Sequence, residues 1–119
     1  MSEKLNIIVN TRFSALHCWP KCNIPGKEYL RNTHRHEFHV QVKIQVNHTD
    51  RDIEFITFKE ELDSFLQDSF QQRNLSTMSC EMICEIIKKE FFGYSIVYIR
   101  VMEDGENGSE MIIDLNTKG

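Results

Sequence analysis

The sequence predicts an α+β domain in which an antiparallel four-stranded sheet carries two helices on one face, in the order β-β-α-α-β-β. Three observations lead to this prediction. Two long N-terminal segments and two shorter C-terminal ones alternate apolar with polar residues, as half-buried strands do. Two central segments space their apolar residues as amphipathic helices do. Helices separated in sequence from antiparallel strands are typical of α+β folds.

The first half of the chain predicts two strands joined by a loop. Residues 5–17 place one alternating set on a single face: Leu5, Ile7, Val9, Phe13, Ala15 and His17. Two prolines and a glycine predict a loop over residues 18–32. Residues 33–46 then show the clearest alternation in the chain. A polar turn over residues 47–52 ends this half.

The second half predicts two helices and a hairpin. The first helix shows an apolar stripe of Phe58, Leu62, Phe65, Leu66 and Phe70. The second starts at the N-cap residue Ser79, ends by Gly93, and turns inward Ile83, Ile86, Ile87 and Phe91. A strand follows over residues 94–103, with Val97, Ile99 and Val101 on one face. We expect a turn over residues 104–108 and a last strand over residues 111–115.

Composition limits the classes of function. A chain of 119 residues predicts one domain, residues 1–119. The net charge of −4 argues against non-specific nucleic-acid binding and against a polybasic membrane surface. We find neither an apolar run of membrane-spanning length nor a signal-peptide pattern, and we therefore expect a cytoplasmic protein.

Three histidines form the sharpest candidate site. His34 and His36 are two residues apart on a predicted strand, so their side chains share a face. His17 ends the preceding strand on its apolar face. If the two strands are neighbours, three imidazoles meet and leave a fourth metal position open, as in catalytic or ligand-binding zinc sites. The alternative is that His34 and His36 are ordinary surface residues at the start of a strand.

The four cysteines fall into two pairs. Cys80 and Cys84 are four residues apart in a helical segment, which favours small core residues over a metal or redox role. Cys18 and Cys22 lie in the loop that follows His17, where a functional role is more plausible.

An ordered set of five motifs runs through most of the chain. Phe13-Ser14-Ala15-Leu16-His17 precedes the cysteine-containing loop, and His34-Arg35-His36-Glu37-Phe38 follows it. The other three are Glu54-Phe55-Ile56-Thr57-Phe58-Lys59, Ser79-Cys80-Glu81-Met82-Ile83-Cys84 and Val101-Met102-Glu103. This set resembles the 6-pyruvoyl-tetrahydropterin synthase family, which includes the 6-carboxy-tetrahydropterin synthases of queuosine-precursor biosynthesis. The resemblance implies the tunnelling fold and a homo-oligomer, a trimer or a hexamer.

The resemblance also implies a ligand set. It places Zn²⁺ on three histidines, namely His17, His34 and His36. It implies that Glu103 anchors a pterin or guanine-like ring, because a carboxylate accepts two parallel hydrogen bonds from an amino-pyrimidinone edge. Ser79 matches a family threonine near that ring, and it is equally well explained as a helix cap. The family reaction converts dihydroneopterin triphosphate with loss of triphosphate.

Two departures from the family pattern concern proton transfer. The family's catalytic cysteine has its nearest counterpart in Cys22, but extra residues separate Cys22 from His34. Cys22 is therefore either a catalytic base or nucleophile in a folded-back loop, or a plain loop thiol. The family's Asp-His pair falls on Gln71 and Gln72, and glutamine cannot act as a general acid or base.

Four functional hypotheses follow. The first is a zinc-dependent lyase of the tetrahydropterin synthase family. The second is a catalytically inactive protein that binds zinc and a pterin or purine nucleotide, as a regulator or ligand sink. The third is different zinc chemistry with a metal-bound hydroxide as nucleophile. The fourth is a structural, oligomer-forming module.

Overall fold

The computed structural model describes residues 3–115 and has the predicted architecture. Its regular elements, in chain order, are β1 (Leu5–His17), β2 (His34–Val46), α1 (Phe55–Ser69), α2 (Cys80–Glu90), β3 (Ile96–Glu103) and β4 (Asn107–Ile112). A short 3-10 helix, Glu28–Arg31, interrupts the predicted loop between β1 and β2. The α+β fold with β-β-α-α-β-β order is therefore confirmed.

The four strands form one antiparallel sheet in the order β1-β2-β3-β4. Strands β1 and β2 pair over their whole length, from Leu5 opposite Val46 to His17 opposite His34. Both strands are 13 residues long, so one continuous register aligns their apolar faces from end to end. This pairing carries the histidines to one end of the sheet.

The hydrophobic core lies between one face of the sheet and the two helices. On β2, every second residue from Phe38 to Val46 is buried, as the alternation predicts. The helices contribute these fully or nearly fully buried side chains: Phe58, Leu62, Leu66, Ile83, Cys84 and Ile87. Cys80 and Cys84 are thus core residues, as expected.

Both helices begin at a side-chain cap. The Glu54 carboxylate accepts hydrogen bonds from the first-turn amides of α1, and the Ser79 hydroxyl accepts one from the Met82 amide of α2. These acceptors satisfy amides that have no partner within the helix. Helix α1 has 15 residues and α2 has 11. Within residues 3–115, neither helix is long and apolar enough to span a membrane.

The C-terminal hairpin differs from the prediction, since β3 begins at Ile96 instead of residue 94 and β4 ends at Ile112 instead of residue 115. Asn107 already pairs with Glu103, so β4 starts four residues earlier than expected and the turn shrinks to residues 104–106. A β-bulge interrupts the pairing of β2 with β3, so Ile96 is buried while Val97 is only half-buried. The extra residue shifts which side chains face the core, and a strict alternation cannot anticipate it.

Residues 72–76 run along the outer edge of β1. The Leu16 amide donates to the Arg73 carbonyl at 2.9 Å, and the Leu75 amide donates to the Leu16 carbonyl at 2.6 Å. The Cys18 amide continues the pattern by donating to the Ser76 carbonyl at 2.8 Å. This pairing covers the end of an otherwise open edge strand and brings the start of α2 next to His17.

Candidate metal centre

The register of β1 and β2 brings three histidines together at the end of the buried sheet face. His17 lies opposite His34, and His36 lies opposite Ala15. The centroids of the imidazole rings are 4.6 Å apart for His17 and His34, 5.1 Å for His17 and His36, and 4.8 Å for His34 and His36. One ring nitrogen from each histidine lies within 4.8 Å of the other two. The predicted convergence is confirmed.

Each of the three rings is oriented by a hydrogen bond from Nδ1. The acceptors for His17, His34 and His36, in that order, are the Met78 carbonyl at 3.2 Å, the Asn32 carbonyl at 2.7 Å and the Asp104 carboxylate at 2.6 Å. Carbonyl and carboxylate oxygens only accept, so each Nδ1 carries the proton. This leaves Nε2 of His34 and His36 as metal ligands, and Nε2 of His17, which donates to Glu103, becomes one when it gives up its proton.

The Glu103 carboxylate adjoins the cluster. One of its oxygens is 3.0 Å from Nε2 of His17, and the other is 3.9 Å from Nε2 of His36. The hydrogen bond to Glu103 is the main cause that raises the pKa of His17. The same bond is the main cause that lowers the pKa of Glu103. An anionic carboxylate is thus held beside the nitrogens that face the cluster.

This donor set fits a divalent metal ion. Three imidazoles suit zinc, copper, nickel and iron, and the fixed Nδ1 protons leave the right nitrogens as donors. The His17 side chain is 12% exposed and that of His36 is 22% exposed, so a ligand could still reach the site. His17, His34 and His36 can therefore hold a metal ion.

A cavity of about 540 Å³ opens beside the cluster. Two of the three histidines and Glu103 lie on its wall. Its other polar and apolar lining includes Cys18, Trp19, Leu30, Met78, Ser79, Met82 and Ser109. Its size falls within the range that small-molecule sites occupy. A few polar groups converge there against an apolar wall, which is the composition expected of a binding pocket.

Two of the predicted ligand-binding residues, Glu103 and Ser79, lie on this cavity wall. Ser79 also caps α2, since its hydroxyl accepts from the Met82 amide at 3.1 Å. The cap leaves the Ser79 hydroxyl proton available to a ligand. Their roles in binding stay predictions.

The two loop cysteines have different surroundings. Cys22 is 1% exposed, and its thiol donates to the Lys27 carbonyl at 3.4 Å. It lies outside the set of described residues that line the cavity, whereas Cys18, next to His17, belongs to that set. The loop therefore turns the Cys22 thiol into its own interior. The catalytic role predicted for Cys22 stays a prediction.

Gln71 and Gln72 both serve as acceptors within the protein. The side-chain oxygen of Gln71 accepts from the Ser14 amide at 2.9 Å. The side-chain oxygen of Gln72 accepts from the Arg35 guanidinium at 2.7 Å, which also donates to the Ser14 hydroxyl. These bonds tie the end of α1 to β1 and β2. They give the two glutamines a structural use that needs no titratable proton.

Sequence reasoning missed the three groups that hold the histidines, namely the carbonyls of Met78 and Asn32 and the carboxylate of Asp104. The Met78 carbonyl depends on the backbone path of residues 72–76, which no pattern in the sequence reveals. Asp104 lies in the predicted turn, and its place directly after Glu103 at the end of a strand is the sequence signal that could have found it.

The fold is similar to that of the uncharacterized protein WS1659 from Wolinella succinogenes, whose crystal structure is known. The two chains superpose with a TM-score of 0.75 at 9% sequence identity, and the match covers 95% of this chain and 100% of that chain. No protein-family model and no curated protein sequence matches the chain. At this identity the likeness shows a shared architecture, since one fold hosts many functions.

Proposed function

We propose that this protein is a zinc-dependent binding protein of the tetrahydropterin synthase type, which captures a pterin or guanine-like ring. The observation that carries the proposal is the convergence of one ring nitrogen from each of three histidines beside Glu103, at the edge of a cavity of about 540 Å³. The resemblance of the five ordered motifs to the 6-pyruvoyl-tetrahydropterin synthase family supplies the identity of the metal and the ligand class.

Each part of the site has a distinct task in this proposal. His17, His34 and His36 hold the ion, which when bound supplies a Lewis acid for oxygens on the ligand's side chain. Glu103 accepts two parallel hydrogen bonds from the amino-pyrimidinone edge of the ring. Ser79 adds a hydroxyl at the cavity wall. Met78 and Met82 on the cavity wall offer apolar contacts to the ring faces.

Binding without turnover is favoured by the state of the proton-transfer groups. Gln71 and Gln72 stand where the family has its Asp-His pair, and both are engaged as hydrogen-bond acceptors. Neither can donate or remove a proton near neutral pH. Cys22 is buried away from the cavity. The three histidines and Glu103, which would bind metal and ligand, thus lie together. The proton-transfer groups of the family are replaced by glutamines or, for Cys22, buried away from the cavity.

The ligand assignment is tested with Glu103→Gln. Glutamine replaces one acceptor oxygen by a donor, so it can no longer accept both hydrogen bonds from the ring. We expect the affinity for neopterin, followed through the fluorescence of the single tryptophan, Trp19, to fall about 10- to 100-fold. The matched control is Glu106→Gln, which removes a charge from the same hairpin. Equal affinity in the parent and Glu103→Gln would remove Glu103 from the ligand site.

Turnover is a second candidate because Cys18 places a thiol on the cavity wall next to His17. Such a thiol could take the part that the family assigns to its cysteine. Incubation of the zinc-loaded protein with dihydroneopterin triphosphate, followed by mass spectrometry, separates the two candidates. Bound and unaltered ligand supports the binding protein, whereas released triphosphate that disappears in Cys18→Ala supports the enzyme.

We also propose that the chain forms a homo-oligomer, a trimer or a hexamer. Within residues 3–115 the sheet is open at β4, and residues 72–76 cover one end of β1. Pairing such edges between subunits satisfies the free amides and carbonyls of edge strands. Light scattering coupled to size-exclusion chromatography should give three or six times the 14.1 kDa chain mass, and a monomeric mass would contradict the proposal.

A further inference from the structure

We propose that Asp104 is a positioning residue of the metal centre, which holds His36 in the one tautomer whose Nε2 can bind a metal ion. The inference rests on the proposed metal binding, and it concerns a residue that the sequence assigned only to a turn. If it holds, Asp104→Asn lowers Zn²⁺ affinity more than Asp104→Ala does.

The geometry around Asp104 leaves little freedom to its carboxylate. One oxygen accepts from Nδ1 of His36 at 2.6 Å, and the other accepts from the Glu37 amide at 3.0 Å. The Asp104 amide in turn donates to the Glu37 carbonyl at 2.6 Å. Three hydrogen bonds therefore tie this residue to β2 at and beside a metal-ligand candidate. A carboxylate held in this way orients the ring and increases the donor strength of its distal nitrogen.

The backbone of the hairpin places the carboxylate there. Asp104 has a φ of 56°, and the following Gly105 has a φ of 71°. Left-handed backbone is tolerated by aspartate and asparagine better than by most other residues. The turn over residues 104–106 thus bends the chain directly after Glu103 and points the Asp104 side chain back across β2.

Asp104 differs from the other two groups that orient the cluster. His17 and His34 donate to the backbone carbonyls of Met78 and Asn32. These acceptors are neutral, and no side-chain substitution removes them. The Asp104 carboxylate is the one charged acceptor among the three and the one that mutation can change without altering a histidine.

Asparagine at this position is expected to force the wrong tautomer. An amide has one acceptor oxygen, so it can satisfy either the Glu37 amide or the His36 Nδ1–H group, while its NH₂ faces the other. A backbone amide always carries its proton, whereas an imidazole can move its own. The oxygen therefore stays on Glu37, and Nδ1 of His36 becomes an acceptor for the NH₂ group. The proton then sits on Nε2, where it blocks metal binding.

The test compares Asp104→Asn, Asp104→Ala and the control Glu106→Gln in the full chain. Zn²⁺ affinity is measured by competition with a chromophoric chelator, and thermal stability is measured on the metal-free proteins. We expect Asp104→Asn to lower Zn²⁺ affinity about 100-fold and Asp104→Ala about 10-fold, with Glu106→Gln unchanged. For the thermal stability of the metal-free protein, we expect Asp104→Ala to lose more than Asp104→Asn. Alanine fits a positive φ poorly and loses the hydrogen bond from the Glu37 amide.

A merely structural role would give the same order in both measurements, with alanine worse than asparagine. That outcome, or unchanged Zn²⁺ affinity in both variants, would overturn the role of Asp104 while leaving the metal centre intact. Failure of the parent protein to bind Zn²⁺ would instead overturn the proposed function and this inference together. The two failures are therefore distinguishable within one set of titrations.

Discussion

The histidine cluster and the loop that carries Cys22 are neighbours in sequence. Strand pairing positions the histidines, whereas an irregular loop positions Cys22. His17 and His34 face each other across a continuous antiparallel register, with their ring centroids 4.6 Å apart. Cys22 lies in a stretch that folds around a 3-10 helix and buries its thiol against the Lys27 carbonyl. The first region presents its side chains to a cavity, while the second region encloses its thiol.

Under the proposed function, this difference explains why the groups that bind stay together while the loop thiol lies apart from them. Strand pairing fixes side chains in rows, and the metal ligands persist as long as the register does. A loop has no such register, and extra residues can turn a side chain inward without disturbing the sheet. We therefore expect metal binding to depend on the strands and not on the loop.

The largest expected effect is that of removing a metal ligand from the strands. His36→Ala should lower Zn²⁺ affinity by more than about 100-fold, since loss of a ligand exceeds the cost of losing an outer hydrogen-bond partner. The matched control is His39→Ala on the same strand, because His39 faces away from the cluster and contacts Glu37. Chelator competition measures both affinities. Equal losses in the two variants would show that the cluster is not the metal site.

The second prediction concerns the reactivity of the four thiols. Burial is the main cause that raises the pKa of Cys80 to about 12 and that of Cys84 to about 11. A pKa of about 12 leaves roughly one Cys80 thiol in ten thousand ionised at pH 8. Cys22 is 1% exposed, and Cys18 lies on the cavity wall.

We therefore expect iodoacetamide at pH 8 to alkylate Cys18 first in the native protein and all four cysteines together in urea. Peptide mass spectrometry over a time course measures the order. Rapid alkylation of Cys22 in the native state would mean that the loop opens and presents its thiol. That result would bring the loop back into the candidate catalytic machinery.

The smallest effect is expected for Cys22→Ala. Removal of one buried sulfur should lower the free energy of unfolding by about 1 to 2 kcal/mol, through lost packing. Zn²⁺ affinity should stay unchanged, because the substitution leaves β1 and β2 intact. Urea denaturation and chelator competition measure the two quantities, with the half-buried Cys18→Ala as the control for stability. A weaker metal site in Cys22→Ala would couple the loop to the cluster.

The sequence predicted most of the fold because its elements differ clearly in period. The bounds of β1 match the prediction, and Ser79 caps α2 as expected. The histidine cluster followed from the same reasoning, on the condition that the two alternating strands are neighbours, which the structure meets. Local pattern was sufficient for β1, β2 and the two helices, whose apolar periods run without interruption.

The parts that the sequence did not predict depend on backbone geometry. The bulge beside Val97 adds a residue to β3, and a prediction based on strict alternation does not allow for it. The position of Asp104 depends on a left-handed turn, and that of Met78 depends on how residues 72–76 follow the edge of β1. The burial of Cys22 depends on the fold of an irregular loop. Such features arise from tertiary contacts and not from periodicity.

The metal centre is tested most directly by X-ray absorption spectroscopy of the zinc-loaded protein. Coordination through the three Nε2 nitrogens predicts one ion per chain, with nitrogen or oxygen neighbours at about 2.0 to 2.1 Å and multiple scattering from three imidazole rings. Sulfur neighbours at about 2.3 Å, or the absence of imidazole scattering, would contradict the assignment of His17, His34 and His36 as the ligands.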